Sequence, residues 1–184
     1  MGMIVGIIVA VVVVLIVLWG IGCYNSLIRM RNQVQEAFST MDVYLKKRFD
    51  LIPNLVATVK GYAAHESQTL EKVIAARNAG VSGNTAERLE QENQISGALR
   101  QIFALAENYP DLKANTNFLD LQAQLKKIEE DIANSRKYYN AVVKNYNDKC
   151  MTIPSNVVAG IGHFEKETMF EAVAAERENV KVEF

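Results

Sequence analysis

The chain has 184 residues, with 20 lysines and arginines against 21 aspartates and glutamates, so its net charge is −1. This balance gives no bulk electrostatic reason to expect nucleic-acid binding, which usually shows as a strong excess of basic residues. The two cysteines, Cys23 and Cys150, lie too far apart in sequence to suggest a disulfide framework or the close ligand spacing of a zinc site.

The first 23 residues are almost entirely apolar, and the first charged side chain is that of Arg29. About 20 helical residues cross a hydrocarbon core, because each adds about 1.5 Å along the helix axis. Trp19 and Tyr24 lie near the end of the run, where amphipathic rings favour the headgroup level. A cleaved signal peptide or lipoprotein leader is the alternative. However, no basic residue precedes the run, and Gly20 stands where a lipoprotein leader has an aliphatic residue. We therefore predict a retained transmembrane anchor over residues 1–23.

The charges beyond the anchor predict its orientation. By the positive-inside bias, we expect the body in the cytoplasm and a short N-terminus outside. Basic residues outnumber acidic ones from Arg29 to Lys60, and acidic residues outnumber basic ones from Glu165 onward. A basic root and an acidic tail suit a protein held against an anionic leaflet. Simple topology-setting charge explains the basic residues equally well. Cys23 could be palmitoylated at this boundary, but a plain interfacial cysteine is favoured. The basic residues that follow the anchor are Arg29, Arg31, Lys46, Lys47 and Arg48.

A long amphipathic pattern follows the anchor. Apolar residues recur at steps of three and four from Leu27 to Ala63, which predicts one helix continuous with the anchor. Pro53 lies inside it and should kink or break it, because proline lacks the N–H of the helical ladder and clashes with the preceding turn. The helical pattern persists to Arg77, and residues 78–84, rich in Gly, Asn and Ser, are predicted to form a loop.

Two more long helices are predicted beyond that loop. One begins at Thr85, and Pro110 ends it. The other starts near Asn115 or Asn117 and fades before Pro154. The remainder is predicted as a loop around Pro154 and residues 160–162, a short helical piece with Phe170 and Val173, and an extended end at residues 180–184.

Each predicted helix has an apolar stripe that it cannot bury alone, so the helices should pack against one another. We predict an all-α fold in which an N-terminal transmembrane helix continues into an elongated antiparallel bundle of three to four long helices, packed as in a coiled coil. The expected divisions are the anchor at 1–23, the bundle at 24–152, and a C-terminal loop, short helix and extended acidic tail at 153–184.

No catalytic, cofactor or metal site is predicted. His65-Glu66 begins like a zinc-protease helix, but Thr69 stands where the second histidine ligand is required. Several charged residues fall close to the apolar stripes, and ordinary pairing on helix surfaces explains them better than catalysis. These residues are Asp42, Arg48, Asp50, Glu107, Glu129 and Arg136.

The most distinctive stretches of sequence are spread over the whole chain. They include Ala37-Phe38-Ser39, Asp50-Leu51-Ile52-Pro53-Asn54-Leu55-Val56, Val59-Lys60-Gly61-Tyr62, Glu107-Asn108-Tyr109-Pro110-Asp111-Leu112 and Pro154-Ser155-Asn156. In these stretches the chain resembles the bacterial LemA family. It departs from the family pattern at Phe38, where tryptophan is usual, at Ile153, which replaces an aromatic residue, and at Asn179, which replaces a proline. The resemblance implies a membrane-anchored antiparallel helical bundle with a cytoplasmic body, and the family offers no established catalytic residues to carry over.

We predict a non-enzymatic membrane scaffold that self-associates, binds the lipid bilayer, and needs no cofactor or nucleic acid. Gly2 and Gly6 are four residues apart and would allow two helices to approach closely. One alternative is a monomeric adaptor that recruits a partner membrane protein through the loop at residues 80–84 or through the acidic tail. Another is an enzyme with an unrecognised site among charges such as Asp50 and Glu107. The candidate oligomer or membrane contacts are Gly2, Gly6, Phe38, Met41, Leu45, Lys46, Lys47 and Arg48.

Overall fold

The computed structural model describes residues 1–79 and 85–170, with side chains for residues 1–78 and 91–170. These residues contain helices and no strand, which confirms the all-α prediction. Asn78 and Ala79, predicted in the loop at residues 78–84, are helical instead. The rest of that loop, the position of Val173 and the predicted extended end at 180–184 lie outside the described residues. The helices are α1 (Gly2–Lys60), α2 (Ser67–Ala79), α3 (Thr85–Ala106), α4 (Pro110–Lys113), α5 (Thr116–Met151) and α6 (Ser155–Ile161).

The chain is organised as two compact units. The juxtamembrane unit contains Met1–Ser39 and Tyr138–Met169, and the distal unit contains Thr40–Lys137 together with Phe170. Helices α1 and α5 each contribute residues to both units. The predicted division at residues 23 and 152 stays a prediction.

Helix α1 continues through Pro53 to Lys60 without a break. Proline has no N–H, so the carbonyl oxygen of Phe49, four residues earlier, loses its helical donor. Arg77 of α2 supplies the missing partner, because its Nε donates to the Phe49 carbonyl oxygen at 3.3 Å. The Arg77 guanidinium also lies 3.8 Å from the centroid of the Phe49 ring. The Arg77 side chain of another helix therefore replaces the lost backbone hydrogen bond. Ile52 is buried, whereas Pro53 is exposed.

The predicted continuation of the first helix to Arg77 is wrong, since α1 ends at Lys60 and α2 begins at Ser67. Gly61 and Tyr62 form a turn there, and the N–H of Tyr62 donates to the carbonyl oxygen of Val59 at 3.0 Å. Glycine is a poor helix residue because it loses the most backbone entropy. The turn reverses the chain so that Leu70 and Val73 of α2 join the same core as α1.

The core of the distal unit is built from one apolar stripe of each helix in it. Pro110 opens α4 as its first residue, a position where the missing N–H costs nothing. Asn115 caps α5, since its Oδ1 accepts from the N–H of Phe118 at 3.0 Å. The residues of this core with the least exposure are Ile52, Leu55, Val59, Ala63, Val73, Leu99, Ile102, Leu112, Phe118 and Leu125.

In the juxtamembrane unit, the first part of α1 packs with the end of α5 and with residues 164–169. Phe38 and Tyr139 meet edge to face, with ring centroids 5.9 Å apart. Asn147 forms two hydrogen bonds of 2.9 Å with the backbone of Glu167. Its Nδ2 donates to the Glu167 carbonyl oxygen, and its Oδ1 accepts from the Glu167 N–H. Tyr139 donates to the carbonyl oxygen of Thr168 at 2.9 Å. Because α5 side chains take these backbone groups, residues 164–170 are not helical, and the predicted helical piece does not include Phe170.

Candidate functional site

The N-terminal part of α1 is an exposed apolar surface. Every large apolar side chain from Met3 to Ile21 is exposed. A helix in a protein core would be covered, and exposed apolar patches of this extent mark membrane or protein contacts. Among the described residues, α1 is the one helix long and apolar enough to cross a membrane. A β-carbon at Gly2 or Gly6 would touch nothing within 4 Å, so this part of the helix is open to a neighbour.

The folded body begins two residues after this apolar surface. Cys23 and Leu27 are buried, so the Cys23 thiol is not presented for palmitoylation. The Tyr24 and Phe164 rings meet edge to face at 5.3 Å between centroids. The Arg31 guanidinium lies 5.7 Å from the centroid of the Phe164 ring. This contact ties the segment after α6 to the membrane end of α1.

Two titratable groups of the juxtamembrane unit, Tyr139 and Cys150, have raised pKa values. Burial raises the pKa of Tyr139 to about 12, and the charge of Glu167 acts in the same direction. Burial also raises the pKa of the Cys150 thiol, which a hydrogen bond with Tyr146 only partly offsets. Because the thiolate is the nucleophilic form, Cys150 is poorly suited to covalent catalysis.

A charged cluster lies inside the distal unit, where three helices meet. Arg48 of α1 is 1% exposed and forms ion pairs with Glu92 of α3 and Glu129 of α5. Its Nη1 donates to Glu129 Oε1 and to Ser96 Oγ, each at 2.7 Å. Ser96 Oγ in turn donates to Glu129 Oε2 at 2.9 Å. The Arg48 cluster, defined as Arg48, Glu92, Ser96 and Glu129, joins α1, α3 and α5 through paired charges.

This cluster is a buried network of ion pairs and hydrogen bonds. Buried ion pairs add little net stability over apolar residues of the same volume, yet loss of one partner is costly. In the part of the chain that the structure describes, no three His, Cys, Asp or Glu side chains group as metal ligands.

The other charged residues near the stripes have separate partners. Asp50 is exposed and pairs with Lys46 at 3.7 Å, and exposed Glu107 pairs with Lys113. Arg136 donates from Nη1 to Asn93 Oδ1 at 3.0 Å and lies 4.7 Å from the centroid of the Phe170 ring. Asp50 and Glu107 thus sit in surface ion pairs.

A further polar group lies where α1, α2 and α4 end or begin. Tyr109 donates to Glu66 Oε1 at 3.1 Å, and this hydrogen bond, with lesser effects from burial and charge, raises the pKa of Tyr109. Asn115 Nδ2 donates to the Tyr62 hydroxyl at 2.9 Å. These bonds fasten the turns of the distal unit to each other.

The structure separates the predicted contact residues into accessible and internal ones. Gly2, Gly6, Lys46 and Lys47 are exposed, and Phe38 is half-buried against Tyr139. Met41 and Leu45 are buried. Arg48 does not share the basic surface of its neighbours, because it is enclosed by its ion pairs. A role for these residues in an oligomer stays a prediction.

Glu92 and Ser96 are members of the cluster that sequence reasoning missed. Glu92 lies three residues after Leu89 and three before Ile95, so it falls on the apolar stripe of α3. A carboxylate on an apolar stripe indicates that a cation is buried opposite it, and this was the signal that the sequence offered.

Comparison with known proteins covers most of the chain. Residues 37–184 match the LemA family. The chain is 26% identical over 162 residues to Protein LemA of Metamycoplasma hominis, covering 87% of this chain and 74% of that protein. It is 26% identical over 175 residues to Magnetosome protein MamQ 2 of Paramagnetospirillum magneticum. Magnetosome protein MamQ of Magnetospirillum gryphiswaldense is 24% identical over 174 residues. Each of these two alignments covers 80% of this chain, which spans 64% of the magnetosome relatives' length. With most of its length matched, the chain belongs to the LemA family.

Proposed function

We propose that this protein is a non-catalytic, single-span membrane scaffold that self-assembles and presents a helical body in the cytoplasm. The observation that carries the proposal is the exposed apolar part of α1, which continues unbroken into a folded helical body. An apolar surface of this length is compatible with water only if it is covered, and a bilayer covers it along about 20 residues.

Self-assembly is supported by the open face at Gly2 and Gly6. Within a bilayer, helices associate through close packing of small residues, because apolar burial alone gives no advantage over lipid. The side-chain positions of both glycines are free of contacts within the chain. A second copy of the helix therefore has a smooth surface on which to pack.

A non-catalytic role is consistent with the polar groups of the body. The charges of the Arg48 cluster pair with one another, and Asp50 and Glu107 pair with surface lysines. The names of the relatives, Protein LemA and Magnetosome protein MamQ, state no reaction. Orientation with the body in the cytoplasm rests on the basic residues that follow the span.

The test is the mass of the full-length particle in mild detergent, measured by light scattering with detergent subtraction. The parent chain is compared with Gly6→Leu and with Gly22→Leu, which makes the same change about 160° around the helix from Gly6. A β-carbon also meets nothing at Gly22, so this variant controls for the substitution itself.

We expect a multimer for the parent and for Gly22→Leu, and a smaller particle for Gly6→Leu. Equal particle masses for multimers of the parent, Gly6→Leu and Gly22→Leu would exclude a contact between subunits through Gly6. A parent of one subunit would exclude the scaffold and favour the monomeric adaptor.

A further inference from the structure

A second apolar surface lies on the body itself, at α6. Ile153, Val157 and Ile161 follow one another at steps of four and are 84%, 61% and 77% exposed. Ser155 and Ala159, on the other side of the helix, are buried. The inward residues fix the rotation of α6, so Val157 and Ile161 lie on its outward face. Met151, at the end of α5, and Ile153, in the turn before α6, are exposed next to them in sequence.

This surface carries no charge. No Asp, Glu, Lys or Arg occurs from Cys150 to Phe164, whereas Asp148, Lys149 and Glu165 lie just outside that run. Single exposed apolar residues are ordinary on a water-facing surface, but a contiguous uncharged apolar face marks a contact with another phase or molecule.

The position of α6 identifies the contact. A β-carbon placed at Gly162, directly after α6, would lie 3.1 Å from the Tyr24 ring. Phe164 packs on that same ring. Tyr24 comes three residues after Ile21, the end of the exposed apolar surface of α1. The apolar face of α6 therefore lies at the level where α1 leaves the membrane, within the same compact unit.

Several polar groups of this region are hydrogen-bonded within the chain, although Asn156 Oδ1 is buried with no hydrogen-bond partner among the described residues. The N–H of Asn156 donates to the Thr152 carbonyl oxygen at 2.9 Å, and that of Phe164 donates to the Ala159 carbonyl oxygen at 2.9 Å. Ser155 Oγ donates to the Lys149 carbonyl oxygen at 2.6 Å. Backbone groups that are already bonded can approach hydrocarbon without the large penalty of unpaired ones.

We propose that the α6 face, formed by Met151, Ile153, Val157 and Ile161, inserts into the headgroup and acyl-chain boundary of the bilayer beside the span. Apolar helix faces of this kind bury about 5–10 Å into that boundary. The body is then held to the membrane at two places, by α1 and by α6. The inference rests on α1 being a span, which is part of the proposed function.

The test uses tryptophan as a depth reporter, because the chain contains a single tryptophan, Trp19. The full-length protein is reconstituted at high dilution in phosphatidylcholine vesicles with plain or brominated acyl chains. The parent reports on the span through Trp19. Trp19→Phe combined with Ile161→Trp reports on α6, and Val157→Trp in the same background is a second reporter. The control is Trp19→Phe with Tyr138→Trp, at an exposed position of the same unit about 20 Å along α5 from Met151.

We expect brominated lipid to lower the emission of the parent and of both α6 reporters by at least about twofold, since bromine quenches only at close range within the bilayer boundary. The control should change by less than about a tenth under the same conditions. Iodide in the aqueous phase should quench the control more strongly than the parent and the two α6 reporters.

Quenching of Trp19 without quenching of the α6 reporters would overturn the inference and leave the span intact. If iodide then reaches the reporters, the face is in water; if it does not, a second copy or another protein covers the face. Absence of lipid quenching at Trp19 itself would remove the span and the proposed function with it.

Discussion

Removal of the buried cation of the Arg48 cluster should destabilise the distal unit far more than removal of a surface cation. Arg48→Met keeps the aliphatic packing of the side chain but leaves the carboxylates of Glu92 and Glu129 without their cation. Glu92 is buried and cannot hydrate, whereas the Glu129 side chain is 32% exposed. Loss of one partner from a buried pair costs about 3–5 kcal/mol, and we expect a loss in that range.

Two variants isolate the cause of that loss. Lys46→Met removes an exposed cation from the same helix, paired with exposed Asp50 at 3.7 Å, and should cost no more than about 0.5 kcal/mol. Arg48→Met combined with Glu92→Met removes both buried charges and should recover all but about 1 kcal/mol of the parent's stability.

The assay is urea unfolding of the full-length protein in mild detergent, followed by far-ultraviolet circular dichroism. The reasoning is refuted if Arg48→Met costs no more than Lys46→Met. A double variant as unstable as Arg48→Met would show that lost packing, rather than unpaired charge, causes the effect.

Three more predictions follow from single contacts. Arg77→Ala should lower the free energy of unfolding by about 2 kcal/mol in the parent. In a Pro53→Ala background the loss should be smaller by about 1 kcal/mol, because alanine at position 53 returns a backbone donor to the Phe49 carbonyl oxygen. Additive effects in a double-mutant cycle of urea unfolding would contradict this compensation. Gly162→Ala should destabilise the juxtamembrane unit by about 1–3 kcal/mol, since its β-carbon would lie 2.6 Å from a Phe164 ring carbon. Gly160→Ala, whose β-carbon meets nothing within 4 Å, should be neutral in the same thermal unfolding measurement, and equal effects would disprove the steric cause. For Tyr139 the folded pKa is raised to about 12 from 10.0, so its contribution of about 2 kcal/mol is complete below pH 10 and is lost as pH rises from 10 to 12. Tyr139→Phe should make the unfolding free energy nearly independent of pH between about 10 and 12. At pH 8 this variant should be about 1 kcal/mol less stable, because the hydrogen bond to the Thr168 carbonyl oxygen is lost. An unchanged pH dependence in the variant would show that Tyr139 is not the group responsible.

Local patterns in the sequence were enough to predict the three longest helices, although not where the first of them ends. Apolar spacing of three and four locates α1, α3 and α5, Pro110 marks the end of one helical segment and the start of α4, and Asn115 marks the cap of α5. Each of these signals acts within a few residues along the chain, which is why a single sequence reveals it.

Contacts between distant residues set what local patterns missed. Pro53 does not break α1, because the compensating donor comes from Arg77, 24 positions later. Residues 164–170 stay non-helical because Asn147 and Tyr139 hold the backbone at Glu167 and Thr168. The Arg48 cluster needs three helices in register before its charges meet.

The surface at α6 was hidden from sequence reasoning for a different reason. The run from Cys150 to Phe164 carries no charge, but its apolar residues were expected in a loop. Only the packing of Phe164 on Tyr24 places them beside the membrane end of α1.

The central claim is that a membrane span carries a body that self-assembles, and counting subunits in a membrane tests it most directly. The full-length chain, fused at its C-terminus to a fluorescent protein, is imaged at low density in native membrane patches, and photobleaching steps are counted for each spot. We predict several steps per spot, with fewer for Gly6→Leu than for Gly22→Leu. A distribution dominated by single steps at all densities would contradict the scaffold and show that the protein works as a monomer.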